Sequence, residues 1–360
     1  MMPRLERRPE PSWAMLYATP FLAVLLTVIV GTIVFGLMGF RGLEATRQIL
    51  IEPLSHPERW PELLVKAGPL ILIATGLSVG FRANVWNIGA EGQYIAGAIA
   101  GTGVALATWT LAGFWILPAM CLAGALGGMA WAAIPAFLRT RFGVSEILTS
   151  LMLTYVAVQL LFLLVRGPWK DPDGFNFPQT RMFTADQTLP AIREGSLVHL
   201  GIPIAILVAC LAWLILARTI AGYEVKVVGL APAAARHGGF SERRTIWLTL
   251  LGAGGLAGLA GVFEAAGPFG QLTPQFPGGY GFTAIIVAFL GRLHPAGIIL
   301  AGLVLAVTYV GGELAQTAVG LPQAATGMFQ AMLLFFLLAS DVLIRFRIVL
   351  RGRRVIGAEA

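Results

Sequence analysis

Charge is scarce in this chain. Asp, Glu, Lys and Arg make up 12% of its 360 residues, against about 25% in a soluble globular domain, so a water-soluble fold is excluded. Only three lysines occur (Lys66, Lys170 and Lys226), and none closes a glycine-rich phosphate-binding turn. Histidine is nearly as rare. His56, His199, His237 and His294 fall in loops or at the ends of apolar runs, so no intramembrane histidine pairs with a serine or a metal. Cys121 and Cys210 are the two cysteines; both sit in apolar stretches and read as small packing residues rather than a disulfide or a metal site. The alternating ten-residue segments of a membrane β-barrel are missing as well.

What is present is apolar. Hydrophobic residues account for 57% of the chain and the mean hydropathy is +0.79. Several runs reach the roughly 18–20 residues that cross a bilayer as a helix. The expected fold is all-α, a polytopic transmembrane helical bundle of about ten spans: 14–38, 63–80, 93–109, 112–138, 145–165, 198–217, 245–266, 280–291, 296–316 and 324–344. The first run exceeds the 7–15 residues of a secretory core and reads as a retained span. The eighth is too short to cross. Gly278, Gly279 and Gly281 precede it and Gly291 and Pro295 follow, which predicts a half-helix or a broken span where backbone lines a cavity. The expected organisation is a tail 1–13, a membrane domain 14–344 containing an inner loop 218–244, and a tail 345–360.

Charge placement orients the spans. With the N-terminus inside, the inner side receives Arg4, Arg7, Arg8, Arg82, Arg139, Arg141, Arg218, Lys226, Arg236, Arg243, Arg244, Arg292, Arg345, Arg347, Arg351, Arg353 and Arg354, which is 17 of the 25 basic residues. The outer side holds the other 8, balanced by acidic residues. This bias predicts both termini inside and an even number of spans. It also accounts for the basic pI without nucleic acid. Two outer segments, 41–62 and 166–197, are proline-rich and charge-balanced; each reads equally as a solvated connection or a docking surface. The cluster Gly252-Ala253-Gly254-Gly255 with Gly258 and Gly261 predicts close helix packing.

Two stretches carry candidate chemistry. The first is Asn87-Ile88-Gly89-Ala90-Glu91-Gly92-Gln93, a carboxylate and two amides between apolar runs. Bare polar groups in hydrocarbon cost several kcal/mol each, which points to backbone lining a cavity or path. A short turn between two spans fits too, and Glu91 equally suits a structural part, accepting from neighbouring N–H groups or pairing with Arg82. The second stretch lies in the inner loop. Pro232, then Ala233, Ala234, Ala235 and Arg236, then Gly238-Gly239 predicts a short helix with start and stop signals, suited to a groove on a partner. Glu264 and Glu313 read as boundary carboxylates at outer ends or as functional groups. Phe269, Phe276 and Tyr280 either pack or stack on a planar solute.

These residues resemble a known family. Gly76-Leu77-Ser78-Val79-Gly80-Phe81-Arg82 running into Asn87–Gln93 is similar to the permease subunit of ABC importers, in the branched-chain amino acid and simple-sugar superfamily and its nucleoside-uptake branch. Val228 to Gly239 resembles that family's ATPase-coupling segment, with Ala231 in place of a common asparagine. Gly143–Tyr155 and Gly279–Gly291 also fit, with Ser145 and Thr154 where asparagine is frequent. The resemblance implies that Asn84, Asn87, Glu91, Gln93 and Phe282 face the translocation path. It implies that Glu224, Gly229, Ala234, Ala235, Arg236 and Gly238 serve coupling. It further implies a bacterial inner-membrane protein without cofactor, whose partners are an ATP-binding subunit, a second permease subunit, an extracytoplasmic solute-binding protein and membrane lipid. The missing phosphate-binding loop then puts ATP hydrolysis on another chain. An ion-coupled secondary transporter using Glu91 is the alternative.

Overall fold

The computed structural model describes residues 3–7, 12–193 and 195–350. In chain order its elements are β1 (Pro3–Arg7), α1 (Trp13–Leu37), α2 (Gly42–Leu50), α3 (Glu52–Ser55), α4 (Trp60–Arg82), α5 (Ala90–Ala107), α6 (Ile116–Phe142), α7 (Glu146–Arg166), α8 (Gly201–Arg218), α9 (Ile220–Leu230), α10 (Pro232–His237), α11 (Glu242–Glu264), α12 (Tyr280–Leu290), α13 (Pro295–Val319), α14 (Gln323–Arg345) and β2 (Phe346–Leu350). All ten expected spans are helical. Eight helices among the described residues are long and apolar enough to cross a membrane, and α5 and α12 fall outside that set. The 11 residues of α12 rise only about 16 Å at 1.5 Å each, half of a bilayer core. The 18 residues of α5 are diluted by Glu91, Gln93 and many small side chains.

The segment 41–62, which reads from sequence as a solvated connection or a docking surface, has secondary structure of its own. It is mostly helical, because Pro53, Pro57 and Pro61 each occupy a first helical turn, where a missing N–H costs nothing.

Contacts divide the chain into two compact units, residues 1–50 with 312–360, and residues 51–311. In the first, α1 and α14 pack antiparallel. Phe35 stacks on Phe329 with centroids 6.1 Å apart, and Ile49 and Leu321 complete the buried cluster. Thr32 and Thr46 share a 2.9 Å hydrogen bond that holds α2 on α1. At the other end the Ser12 N–H donates to Ile344 O, and β1 pairs antiparallel with β2 from Pro3↔Leu350 to Arg7↔Phe346. The first and last spans therefore begin and end side by side. Of the expected tails, residues 1–2, 8–11 and 351–360 lie outside the described residues.

In the second unit α4 and α11 are buried along most of their length, while α6, α7 and α8 bury a single stripe. The glycine clusters explain how α5, α6 and α11 come so close. A methyl group built on Gly97 would fall 2.1 Å from Gly258 Cα, one on Gly128 2.1 Å from Gly254 O, and one on Gly258 2.2 Å from Gly124 O. Lipid supplies no hydrophobic drive between helices, so backbone-to-backbone van der Waals contact of this kind holds the slab together. Gly252, by contrast, faces open space. Gly258→Val should lower the melting temperature of the purified protein, with an overpacking cost of about 1–3 kcal/mol or more. Gly252→Ala should leave it unchanged or raised. Equal melting of the two variants would contradict this packing.

Candidate translocation site and docking segment

Between α4 and α5 the chain leaves helical geometry at residues 83–89, starting at Asn84 with φ +58°. The break lies earlier in the chain than the polar run, because Glu91 and Gln93 already lie in the first turn of α5. Its direction is fixed by three contacts. At its start the Arg82 guanidinium donates to Leu293 O at 3.0 and 2.8 Å, just past the C-terminus of α12. Midway, Trp86 stacks on Phe289 at 6.0 Å, with Phe81 against both rings at 5.2 Å. At the far end Glu91 meets Gly279 and Gly281, at the N-terminus of α12. The broken segment therefore runs antiparallel alongside the half-helix.

Three backbone donors of this break find side-chain acceptors, and those of Ala83, Asn84 and Val85 turn back to carbonyls of α4. The Trp86 N–H donates to Glu146 Oε1 at 3.1 Å, Ile88 N–H to Ser150 Oγ at 3.2 Å and Gly89 N–H to Asn87 Oδ1 at 3.1 Å. Asn87 and Gln93 also exchange reciprocal amide bonds of 2.8 and 3.1 Å. Glu146, at the start of α7, is paired with Arg139 at the end of α6. The carboxylate of Glu91 takes the Gly279 N–H on Oε1 at 2.9 Å and the Gly281 N–H on Oε2 at 2.6 Å. A helix N-terminus presents orphan donors and a partial positive charge, so a buried carboxylate is matched there twice over. Gly279 sits at φ +76°, and a methyl group on Gly281 would meet Glu91 N at 2.1 Å; both positions demand glycine.

The structure buries Asn87, Glu91 and Gln93: the two amides satisfy each other, and Glu91 is satisfied by the backbone of α12. The backbone-capping part weighed for Glu91 is realised, and the pairing with Arg82 is not. Asn84 and Phe282 are the exposed members of the path candidates. Glu264 corrects the boundary reading: it is fully buried and accepts from the Tyr280 hydroxyl at 3.1 Å. Phe276 and Tyr280 stack with Tyr94 and Tyr309 rather than presenting free faces, at centroid distances of 5.0, 5.9 and 5.1 Å. Sequence reasoning missed Tyr94 and Tyr309, which carried no local signal beyond being aromatic. Arg292 and Leu293 follow α12 at φ +58° and +55°, non-glycine strain of about 1–3 kcal/mol per residue that surrounding contacts must hold.

On the inner loop the expected helix is α10, and an unexpected one, α9, precedes it. The six coupling candidates separate into two sets. Glu224 accepts from Thr245 Oγ1 of α11 at 3.1 Å. A methyl group on Gly229 would lie 1.9 Å from Arg82 O, and Ala235 is fully buried. Glu224 and Gly229 thus attach the segment to α11 and to the end of α4, and Ala235 is its buried member. Ala234, Arg236 and Gly238 are exposed and form its outer surface. The helix starts without a side-chain cap at Ala231, and Pro232 at its first turn supplies the geometry instead.

The segment 166–197 is pinned rather than free. The Gln187 amide donates to Ala105 O at 2.8 Å, and Thr180, Phe183 and Leu189 N–H groups donate to Leu272, Gly270 and Ala266 carbonyls. His199, bridged to Ala191 at its end, accepts from Gly201 N–H at Nδ1, and burial holds its imidazole below the ordinary value. Phe175, Phe177 and Met182 stand exposed on the surface of this segment. No group of three or more His, Cys, Asp or Glu able to hold a metal occurs among the described residues.

A helical membrane protein with a broken helix pair inside and a short helix pair on one face has the build of a transporter's membrane-spanning subunit. Over residues 61–338 the chain matches the family described as branched-chain amino acid transport system / permease component, and it belongs to that family. It is 38% identical to the glucose ABC transporter permease protein TsgB13 of Haloferax volcanii, over 95% of this chain and 92% of that protein. It is 28% identical to the nucleoside ABC transporter permease protein NupB of Lactococcus lactis, over 88% and 89%. The guanosine ABC transporter permease protein NupP of Bacillus subtilis is also 28% identical, over 91% and 94%. A second permease from each of these organisms matches over 64–70% of this chain.

The capping geometry makes a graded prediction. Glu91→Gln keeps the shape but turns an NH2 group toward one glycine N–H, and Glu91→Ala leaves both bare, at about 1–3 kcal/mol per buried donor. Melting temperature should fall in the order wild type, Gln, Ala. Identical melting curves would remove Glu91 from the support of the break.

Proposed function

We propose that this chain is one of two permease subunits in an importer powered by a separate ATP-binding protein, carrying a nucleoside or a related simple sugar. The observation that carries the reading is the α9–α10 unit, anchored inward through Glu224, Gly229 and Ala235 while Ala234, Arg236 and Gly238 face outward. A short helix fixed at one side and bare on the other suits a groove on a moving partner. The names of the relatives support the substrate class. Three organisms each supply two matching permeases, which favours a heterodimer. The exposed Phe175, Phe177 and Met182 on the pinned outer segment offer an apolar patch to a solute-binding protein.

The path runs beside the paired break and half-helix. Asn84 and Phe282 are the side chains offered to solute, and Asn87, Glu91 and Gln93 hold the shape behind them. An ion-coupled mechanism finds less support, because both oxygens of Glu91 are engaged by backbone N–H groups. The chain sits in the cytoplasmic membrane of the cell, the inner membrane in a bacterium, with both termini inside. The adjacent chain ends and the basic residues on one side favour that orientation.

Arg236→Glu should abolish uptake of labelled nucleoside or glucose into vesicles carrying the assembled transporter, with normal amounts of permease in the membrane. Unchanged uptake and unchanged ATPase binding would remove the segment from the mechanism. Topology has its own check. A membrane-impermeant thiol reagent applied to intact cells should label cysteines introduced at Ser55 and Asp173 but not at Ser241. Labelling at Ser241 in sealed cells would invert the arrangement.

A further inference from the structure

We infer that Arg82 is a positioning residue that joins the docking segment to both halves of the broken helix pair, so that a push on α9 reaches the break and the half-helix together. The inference rests on the reading of α9–α10 as the ATPase-docking unit. Two separate contacts and the start of the broken segment meet at this one residue. Its carbonyl oxygen is where α9 touches the end of α4: Gly229 comes so near that a methyl group there would lie 1.9 Å from it. Its guanidinium donates twice to Leu293 O, at 3.0 and 2.8 Å, across 211 residues of sequence. Its C-terminal neighbours Ala83 and Asn84 open the broken segment, whose far end returns to α12 through Glu91.

The consequence is a closed frame. The broken segment is tied to α12 at its start by Arg82 and at its end by Glu91, with the Trp86–Phe289 stack between. The turn that Arg82 holds contains Arg292 and Leu293, two non-glycine residues in the left-handed region, a geometry that persists only while neighbours enforce it. Releasing the guanidinium frees that turn and lets α12 move apart from the break. The second attachment of α9, Glu224 to Thr245, leads to α11 and the glycine-packed slab. The segment therefore has one foot on the rigid scaffold and one on the broken pair, and displacement shears the second against the first. Lysine at 82 keeps the charge and one donor; glutamine loses the charge and the forked geometry.

The test uses the complete transporter with its ATPase and binding protein in proteoliposomes, reading solute taken up per ATP hydrolysed. Arg82→Gln should lower that ratio by about five-fold or more while ATP hydrolysis continues, the scale of a coupling free energy lost. Arg82→Lys should restore part of it. Hydrogen exchange should rise at residues 291–295 in Arg82→Gln and stay unchanged in the α5–α6–α11 slab. Gly229→Ala should lower the ratio as well and raise exchange at 83–85. An Arg82→Gln ratio equal to wild type overturns the inference, as does a loss of assembly and hydrolysis that lysine reverses in the same proportion as uptake. The docking reading fails separately, if Arg236→Glu leaves ATPase binding and uptake intact.

Discussion

One constraint organises the centre of this protein: a helix interrupted inside a membrane must find internal partners for every backbone N–H it frees. Glu91 meets the hardest part of that demand by placing one oxygen on Gly279 N–H and the other on Gly281 N–H. The carboxylate pays for its own burial only because it sits at a helix N-terminus with two donors in place. Asn87, Ser150 and Glu146 take three donors of the break. Without this set, α12 would be a short apolar helix with an exposed start, and residues 83–89 would be an unpaired strand in low dielectric.

The setting of that polar cluster is a scaffold built from the opposite material. Gly97, Gly124, Gly128, Gly254 and Gly258 bring α5, α6 and α11 into backbone contact. Contacts of that kind have no slack, because neither partner has a side chain to re-rotamerise. The break is therefore held on one flank by α5, a member of the slab, and on the other by α12, which is tied to it by the Arg82 and Glu91 hydrogen bonds and the Trp86–Phe289 stack. Stiffness and adjustability lie next to each other, as alternating access to a central path requires.

The proposed docking segment follows the same division. Glu224, Gly229 and Ala235 face the membrane unit, and Ala234, Arg236 and Gly238 face away. Residues that share a motif thus divide into a held set and an exposed set. The buried aromatic group of Tyr94, Phe276, Tyr280 and Tyr309 has a related task near the start of α12: it fills the space beside the half-helix, and Glu264 takes the Tyr280 hydroxyl.

The sequence by itself determined the class. Scarce charge and long apolar runs define a multi-spanning helical protein, since bilayer thickness and the cost of charge in it act on composition directly. It also showed where the helices fail, because glycines at 278, 279 and 281 and polar residues at 87–93 are local signals. The short helix at 232–237 was legible for the same reason. Partner choice was not. That Glu91 caps a helix 188 residues away, that Arg82 reaches Leu293 instead of Glu91, and that Glu264 is buried under Tyr280 were decided only by tertiary structure. A carboxylate or a guanidinium has the same chemistry against any donor or acceptor. Which one it meets depends on how distant helices pack, and that information is spread over the glycine contacts of the whole scaffold rather than stored beside the residue.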